Sequence, residues 1–112
     1  MTSQQDNRQL PRIALKHPAT LNWQGQTFQV ELTNLSEKGC AFLSPICLAD
    51  HATGTLEFDL MATHEHFNLK LQIEVIHCYK TRDTHLVGVT FNQLNTMYQY
   101  ALRKIVEHHL GH

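Results

Sequence analysis

The chain has 112 residues, of which 42% are hydrophobic and 17% are charged. This length can close one modest core and is too short for two ordinary domains. The chain has 9 lysines and arginines and 10 aspartates and glutamates, which gives a formal net charge of -1. It therefore lacks the broad positive field that binding to long nucleic acid requires.

The cysteine pattern and the hydropathy indicate a compartment. Cys40, Cys47 and Cys78 form an odd set without a C-x-x-C pair. This spacing speaks against a disulfide framework and a zinc ribbon, and it is typical of a protein in a reducing cytosol. The polar N-terminus has no apolar signal segment, and no apolar run approaches the roughly 20 residues needed to cross a bilayer. We therefore expect a cytoplasmic protein without direct membrane insertion.

The first part of the chain is predicted to be a flexible arm. Residues 1–12 are polar, and Pro11 disfavours helix at the residue before it. Such a segment could be ordered by a ligand. The folded domain is expected to span residues 13–112.

Strand periodicity dominates the next eighty residues. Apolar residues alternate with polar ones, which indicates strands with one buried face; the clearest runs cover residues 28–32, 56–60 and 67–75. The alternation fails at residues 76–78, where we expect a bulge. Turn signals separate the runs at Gln24-Gly25, at Ser36 to Gly39 and at Arg82-Asp83. About six strands result.

The last segment has helical spacing. Asn95 is suited to cap a helix, and the apolar residues after it recur every three or four positions: Met97, Tyr98, Ala101, Leu102, Ile105 and Val106. This predicts one amphipathic helix over about residues 95–110. A small antiparallel sheet avoids unpaired edges by closing, and one helix can cover an open end. The predicted fold is therefore mainly β: a small antiparallel β-barrel of about six strands with one C-terminal α-helix.

Two local patterns carry the functional signal. The first is R-x-x-x-R at Arg8-Gln9-Leu10-Pro11-Arg12, and the second is [D/N]-x-S-x-x-G at Asn34-Leu35-Ser36-Glu37-Lys38-Gly39. In this order and spacing they resemble the motifs of the PilZ domain family. The segment Leu86-Val87-Gly88-Val89-Thr90-Phe91 is similar to that family's last core strand, so the resemblance extends over nearly the whole chain.

The resemblance implies binding of the bacterial second messenger cyclic di-GMP by Arg8, Arg12, Asn34, Ser36 and Gly39. A guanidinium can hold a phosphate with two hydrogen bonds, pair with guanine O6 and N7, or stack on a purine. The Asn34 carboxamide can accept from a guanine N–H or fix its own turn, and the Ser36 hydroxyl can contact a phosphate or neighbouring backbone. Gly39 can adopt a positive φ and approach a ligand closely.

The resemblance also implies an output. Family members couple cyclic di-GMP to motility, attachment, exopolysaccharide or virulence, and a domain without a fused output module is expected to act on a separate protein partner. We expect no cofactor besides the ligand itself. The helix also carries more apolar residues than one end of the barrel can cover, namely Met97, Tyr100 and Ala101. Through these residues the helix could pair two chains in a homodimer.

Other interpretations are weaker. A PilZ-like module that binds only proteins would have the same fold, and a small oligonucleotide-binding barrel would need exposed aromatics along a basic groove. The histidines at 64, 66, 108, 109 and 112 have poor spacing for one metal site. No known catalytic motif is present. We therefore predict no enzyme, no catalytic residue and no metal.

Overall fold

The computed structural model of the protein describes residues 10–111. Six strands precede one helix in chain order. The strands are β1 (Ile13–Trp23), β2 (Gln26–Leu35), β3 (Gly39–Ser44), β4 (Thr53–Ala62), β5 (Glu65–Lys80) and β6 (His85–Asn92), and the helix is α1 (Thr96–His109).

The strands form a closed antiparallel barrel in the order β1-β2-β3-β6-β5-β4, with β1 paired to β4. The predicted six-stranded barrel is confirmed. Within residues 10–111, closure gives every strand a hydrogen-bonded neighbour on both sides. The 16-residue strand β5 makes closure possible because its first half pairs with β4 and its second half pairs with β6.

The barrel interior holds one hydrophobic core. Side chains from every strand contribute to it, and the largest fully buried ones include Phe42, Leu21, Leu32, Leu56 and Leu71. In β5 the predicted alternation is confirmed over residues 67–75, with polar side chains outward and apolar side chains inward. The predicted irregularity is also confirmed, because the β5–β6 register shifts between Val75 and His77.

The helix α1 covers the core. Asn95 caps it as predicted, since its side-chain oxygen accepts a 2.7 Å hydrogen bond from the backbone N–H of Tyr98. The buried face of the helix consists of Ala101, Leu102, Ile105 and Val106, which belong to the same hydrophobic cluster as the barrel interior.

One expectation about the helix surface is wrong. Ala101 is not available to a second chain, since it is only 2% exposed and packs into the core. Met97 and Tyr100 do remain exposed, at 74% and 46%. Only two of the three residues predicted to contact a second chain are therefore exposed. Pairing of two chains through the helix stays a prediction.

Candidate ligand-binding surface

The second arginine of the first motif contacts the first residue of the second motif at the start of β1. Arg12 directly precedes β1, and Asn34 is the penultimate residue of β2. Antiparallel pairing of these strands places Ala14 opposite Asn34, so the Nη1 of Arg12 donates a 3.0 Å hydrogen bond to the Oδ1 of Asn34. A guanidinium has five N–H donors. One bond to Asn34 therefore leaves donors with which Arg12 can hold an anion or a guanine edge.

The turn between β2 and β3 is organised by Ser36. Its hydroxyl donates to the carbonyl oxygen of Gly39 and accepts from the backbone N–H groups of Lys38 and Gly39, all at 3.2 Å. The Ser36 N–H donates to the same Gly39 carbonyl at 2.8 Å. Ser36 is only 3% exposed. The sequence suggested that the Ser36 hydroxyl contacts either a phosphate or neighbouring backbone. In the structure it contacts neighbouring backbone.

We expect Ser36→Ala to lower the free energy of unfolding by about 1–3 kcal/mol, because two backbone N–H groups of the turn lose their acceptor. Chemical denaturation measures the change. Thr81→Ala is the matched control: the Thr81 hydroxyl makes the same type of turn with Thr84, but at an exposed hairpin where water can replace it. Equal losses in the two variants would contradict a special role for Ser36.

Gly39 is needed for close backbone packing. It pairs with Thr90 across the β3–β6 ladder, and a Cβ placed on it would lie 2.2 Å from the carbonyl oxygen of Val89. The expected positive φ is not its reason: within residues 10–111 the glycines with positive φ are Gly25 and Gly111. The expected positive φ at Gly39 is therefore wrong, whereas its expected close approach to a ligand stays a prediction.

A row of outward-facing residues continues from Asn34 across the barrel. Asn34 is opposite Ala41, Ala41 is opposite Gly88, and Gly88 is opposite His77. A Cβ at Gly88 would lie 2.4 Å from the Cε1 of His77, so the imidazole ring lies over the glycine. Its centroid is 4.7 Å from that of the Tyr79 ring. Ala41 and Gly88 are therefore both buried, and the His77 ring covers Gly88.

Sequence reasoning does not find this row of facing residues. The sequence indicates Gly88 only as part of a core strand and places His77 in an irregular segment. Their pairing depends on the shift of register between Val75 and His77. The signal that could have indicated it is the bulge itself, because bulges often redirect side chains at functional surfaces.

Charges around the turn are partly balanced. The carboxylate of Glu37 lies 3.9 Å from the Nε of Arg103 on the helix, whereas Lys38 is exposed. Burial raises the pKa of the Cys40 thiol to about 12, and the charge of Arg12 opposes that rise. Arg12 therefore contributes positive potential to this end of the barrel as well as a hydrogen bond.

Of the five predicted site residues, Arg12, Asn34, Ser36 and Gly39 lie in the turn or beside it. Arg8 lies outside the described residues. Residues 10–111 contain no group of three or more His, Cys, Asp or Glu side chains placed to hold a metal ion. The helix in this part of the chain is not long and apolar enough to span a membrane.

Comparison with solved structures gives barrels of the same fold. The inhibitor of motility MotI/DgrA of Bacillus subtilis is 13% identical with a TM-score of 0.77, over 89% of this chain and 49% of that chain. The PilZ domain of YcgR from Escherichia coli, solved with c-di-GMP, is 15% identical with a TM-score of 0.72, over 92% and 91%. The MrkH–c-di-GMP complex of K. pneumonia is 16% identical with a TM-score of 0.66, over 89% and 51%.

The present chain therefore spans about half the length of MotI/DgrA and MrkH, and nearly all of the YcgR domain. A comparison with curated proteins finds no match. The family model described as PilZ domain matches residues 6–108. Both predicted motifs, all six strands and most of the helix fall within that match. The chain belongs to the PilZ domain family.

Proposed function

We propose that this protein is a receptor for cyclic di-GMP, which binds over Arg12, Asn34 and the turn formed by Ser36 to Gly39, with Arg8 contributing from the preceding segment. The observation that carries the proposal is the hydrogen bond between Arg12 and Asn34, since it joins the two motifs into one surface. Two of the three solved structures named above contain c-di-GMP.

The chemistry of the surface suits this ligand. Cyclic di-GMP carries two phosphate charges and two guanines. Two arginines can neutralise the phosphates and bind the O6 and N7 of guanine. The side-chain oxygen of Asn34 can accept a hydrogen bond from a guanine N–H. Asn34 lacks the charge-assisted pairing that an aspartate would offer guanine N1–H and N2–H, which favours somewhat weaker guanine recognition.

We further propose that the ligand bridges the arm of residues 1–12 to the turn and thereby reshapes one surface for a protein partner. A ligand shifts a conformational equilibrium only by its difference in affinity for the two states. Contacts that Arg8 and Arg12 make only in the bound state would supply that difference. The receptor would act in the cytoplasm, with an output in motility, attachment, exopolysaccharide or virulence.

Calorimetric titration with cyclic di-GMP at near-physiological salt tests the receptor proposal. We expect saturable binding, with cyclic di-AMP weaker by about 100-fold or more, because a site that hydrogen-bonds guanine leaves polar groups unpaired against adenine. GMP tests whether both halves of the ligand are required. The stoichiometry from the same titration distinguishes one bound ligand from a stacked pair.

The alternatives predict different titrations. Absence of heat and of a thermal shift at high ligand concentration would contradict the receptor proposal and favour a PilZ-like module that binds only proteins. Binding of single-stranded oligonucleotides with a steep salt dependence would instead favour the oligonucleotide-binding barrel.

A further inference from the structure

Two of the three cysteines lie in contact although they are distant in the chain. Cys47 is in the loop between β3 and β4, and Cys78 is in β5. The Sγ atoms are 3.6 Å apart, within hydrogen-bond distance for two thiols. Cys47 is exposed and Cys78 is half-buried. In the sequence, Cys78 lies in an apolar, strand-like segment, which is typical of a small core residue, and nothing in the spacing brings these two thiols together.

The bulge in β5 explains why the thiols meet. Val75 faces the interior and Ile76 is 55% exposed, so regular alternation would turn Cys78 outward. The extra residue at the bulge instead places Cys78 opposite Val87, which is fully buried. Directly opposed side chains share a face of the sheet. Cys78 is therefore directed toward the loop that carries Cys47.

The loop is also held in place. The Ser44 hydroxyl donates to the carbonyl oxygen of Ile46 at 2.9 Å and accepts from its N–H at 3.1 Å. On the other side of Cys47, Leu48 is only 2% exposed and belongs to the core. Both neighbours of Cys47 are thus anchored, so the contact with Cys78 is built into the fold.

We propose that Cys47 and Cys78 form a reversible intramolecular disulfide by exchange with a small-molecule disulfide such as oxidised glutathione. The Cys47 thiolate attacks one sulfur of the small disulfide, and one small thiolate leaves and takes up the proton that Cys47 lost. The Cys78 thiolate then attacks the Cys47 sulfur of this mixed disulfide and expels the second small thiol. Two protein thiols are oxidised, and one small disulfide is reduced to two thiols.

The geometry needs only a small adjustment. A disulfide bond is about 2.05 Å long, so the two sulfurs must approach by roughly 1.5 Å. Rotation of the exposed Cys47 side chain can supply this movement. A disulfide that involves the exposed Cys47 and forms reversibly is typical of the transient disulfides of a reducing compartment. It differs from the permanent disulfides that hold a fold together.

The reactivity of the cysteines differs. Contact with Cys78, together with the nearby Asp50 carboxylate, raises the pKa of Cys47, so we expect oxidation to accelerate as the pH rises, because only the thiolate attacks. Cys40 is 1% exposed and its pKa is raised to about 12 by burial. Cys40 should therefore stay reduced and acts as an internal control.

The test is incubation of the purified protein in mixtures of reduced and oxidised glutathione, followed by alkylation of the free thiols in denaturant and mass spectrometry of peptides. We expect a monomer in which Cys47 and Cys78 are linked and Cys40 is alkylated, with full reversal by dithiothreitol. The melting temperature of the oxidised form should rise by roughly 10 °C, because the cross-link restricts the unfolded chain.

Two variants sharpen the test. Cys78→Ser should trap glutathione on Cys47, with a mixed-disulfide population about tenfold or more above the parent, because the intramolecular attack is lost. Cys47→Ser should leave Cys78 largely unmodified. A stable mixed disulfide in the parent, a disulfide-linked dimer, or two free thiols in oxidised glutathione would each overturn the inference. It does not depend on cyclic di-GMP binding.

Discussion

Replacing Arg12 with alanine is expected to weaken cyclic di-GMP binding by about 100-fold or more, which corresponds to about 2.7 kcal/mol. Loss of a guanidinium removes charge-assisted hydrogen bonds, each worth about 1.5–3 kcal/mol. Arg12 is exposed and precedes the first strand, so the fold should not depend on it. Calorimetry measures the affinity, and thermal denaturation checks that the melting temperature is unchanged.

Two further variants separate charge from geometry. Arg82→Ala removes an exposed arginine from the β5–β6 turn and should leave the affinity within about threefold, since it alters only screened, long-range potential. Arg12→Lys keeps the charge but loses the planar fork of donors, and we expect it to behave more like alanine than like arginine. Parental affinity in Arg12→Ala would contradict the proposed site.

Gly39→Ala should have the largest effect on stability, lowering the free energy of unfolding by about 3 kcal/mol or more, at the upper end of the cost of overpacking. The new Cβ would lie 2.2 Å from the Val89 carbonyl oxygen and 3.2 Å from the Cα of Thr90. Both are backbone atoms of β6, so the β3–β6 ladder must open to relieve the contact. Denaturant unfolding monitored by circular dichroism measures the loss.

Gly25→Ala provides the comparison. Gly25 lies in the β1–β2 turn at φ +76°, and a Cβ added there would have no atom within 4 Å. Its replacement costs only the strain of a left-handed alanine, about 1–2 kcal/mol. If Gly39→Ala proved no more destabilising than Gly25→Ala, close packing against β6 would not explain the glycine.

The candidate site contains two kinds of residue, which the Arg12 and Gly39 variants represent. Arg12 and Asn34 present polar groups at the surface, whereas Ser36 and Gly39 have their polar atoms and backbone committed to the turn. The motif therefore combines residues that can contact a ligand with residues that give the turn its shape. Loss of binding in a Ser36 or Gly39 variant must be read together with its stability.

Local patterns in the sequence determined the fold class. Alternation of apolar residues over 67–75 predicted which face of β5 is buried, because successive side chains of a strand point to opposite sides. Asn95 predicted the start of α1, because its side chain satisfies an otherwise unpaired N–H of the first turn. The order and spacing of the two motifs around Arg12 and Asn34 also indicated the family.

Only the tertiary structure decided how distant residues meet. The β4–β5 turn at Thr63 and His64 has positive φ at both residues without a glycine, and the long pairing of the two strands on either side enforces it. The β5 bulge places His77 over Gly88 and directs Cys78 toward the loop of Cys47. Register across a closed barrel is a collective property of all its strand pairs, so a one-residue shift changes every facing side chain beyond it.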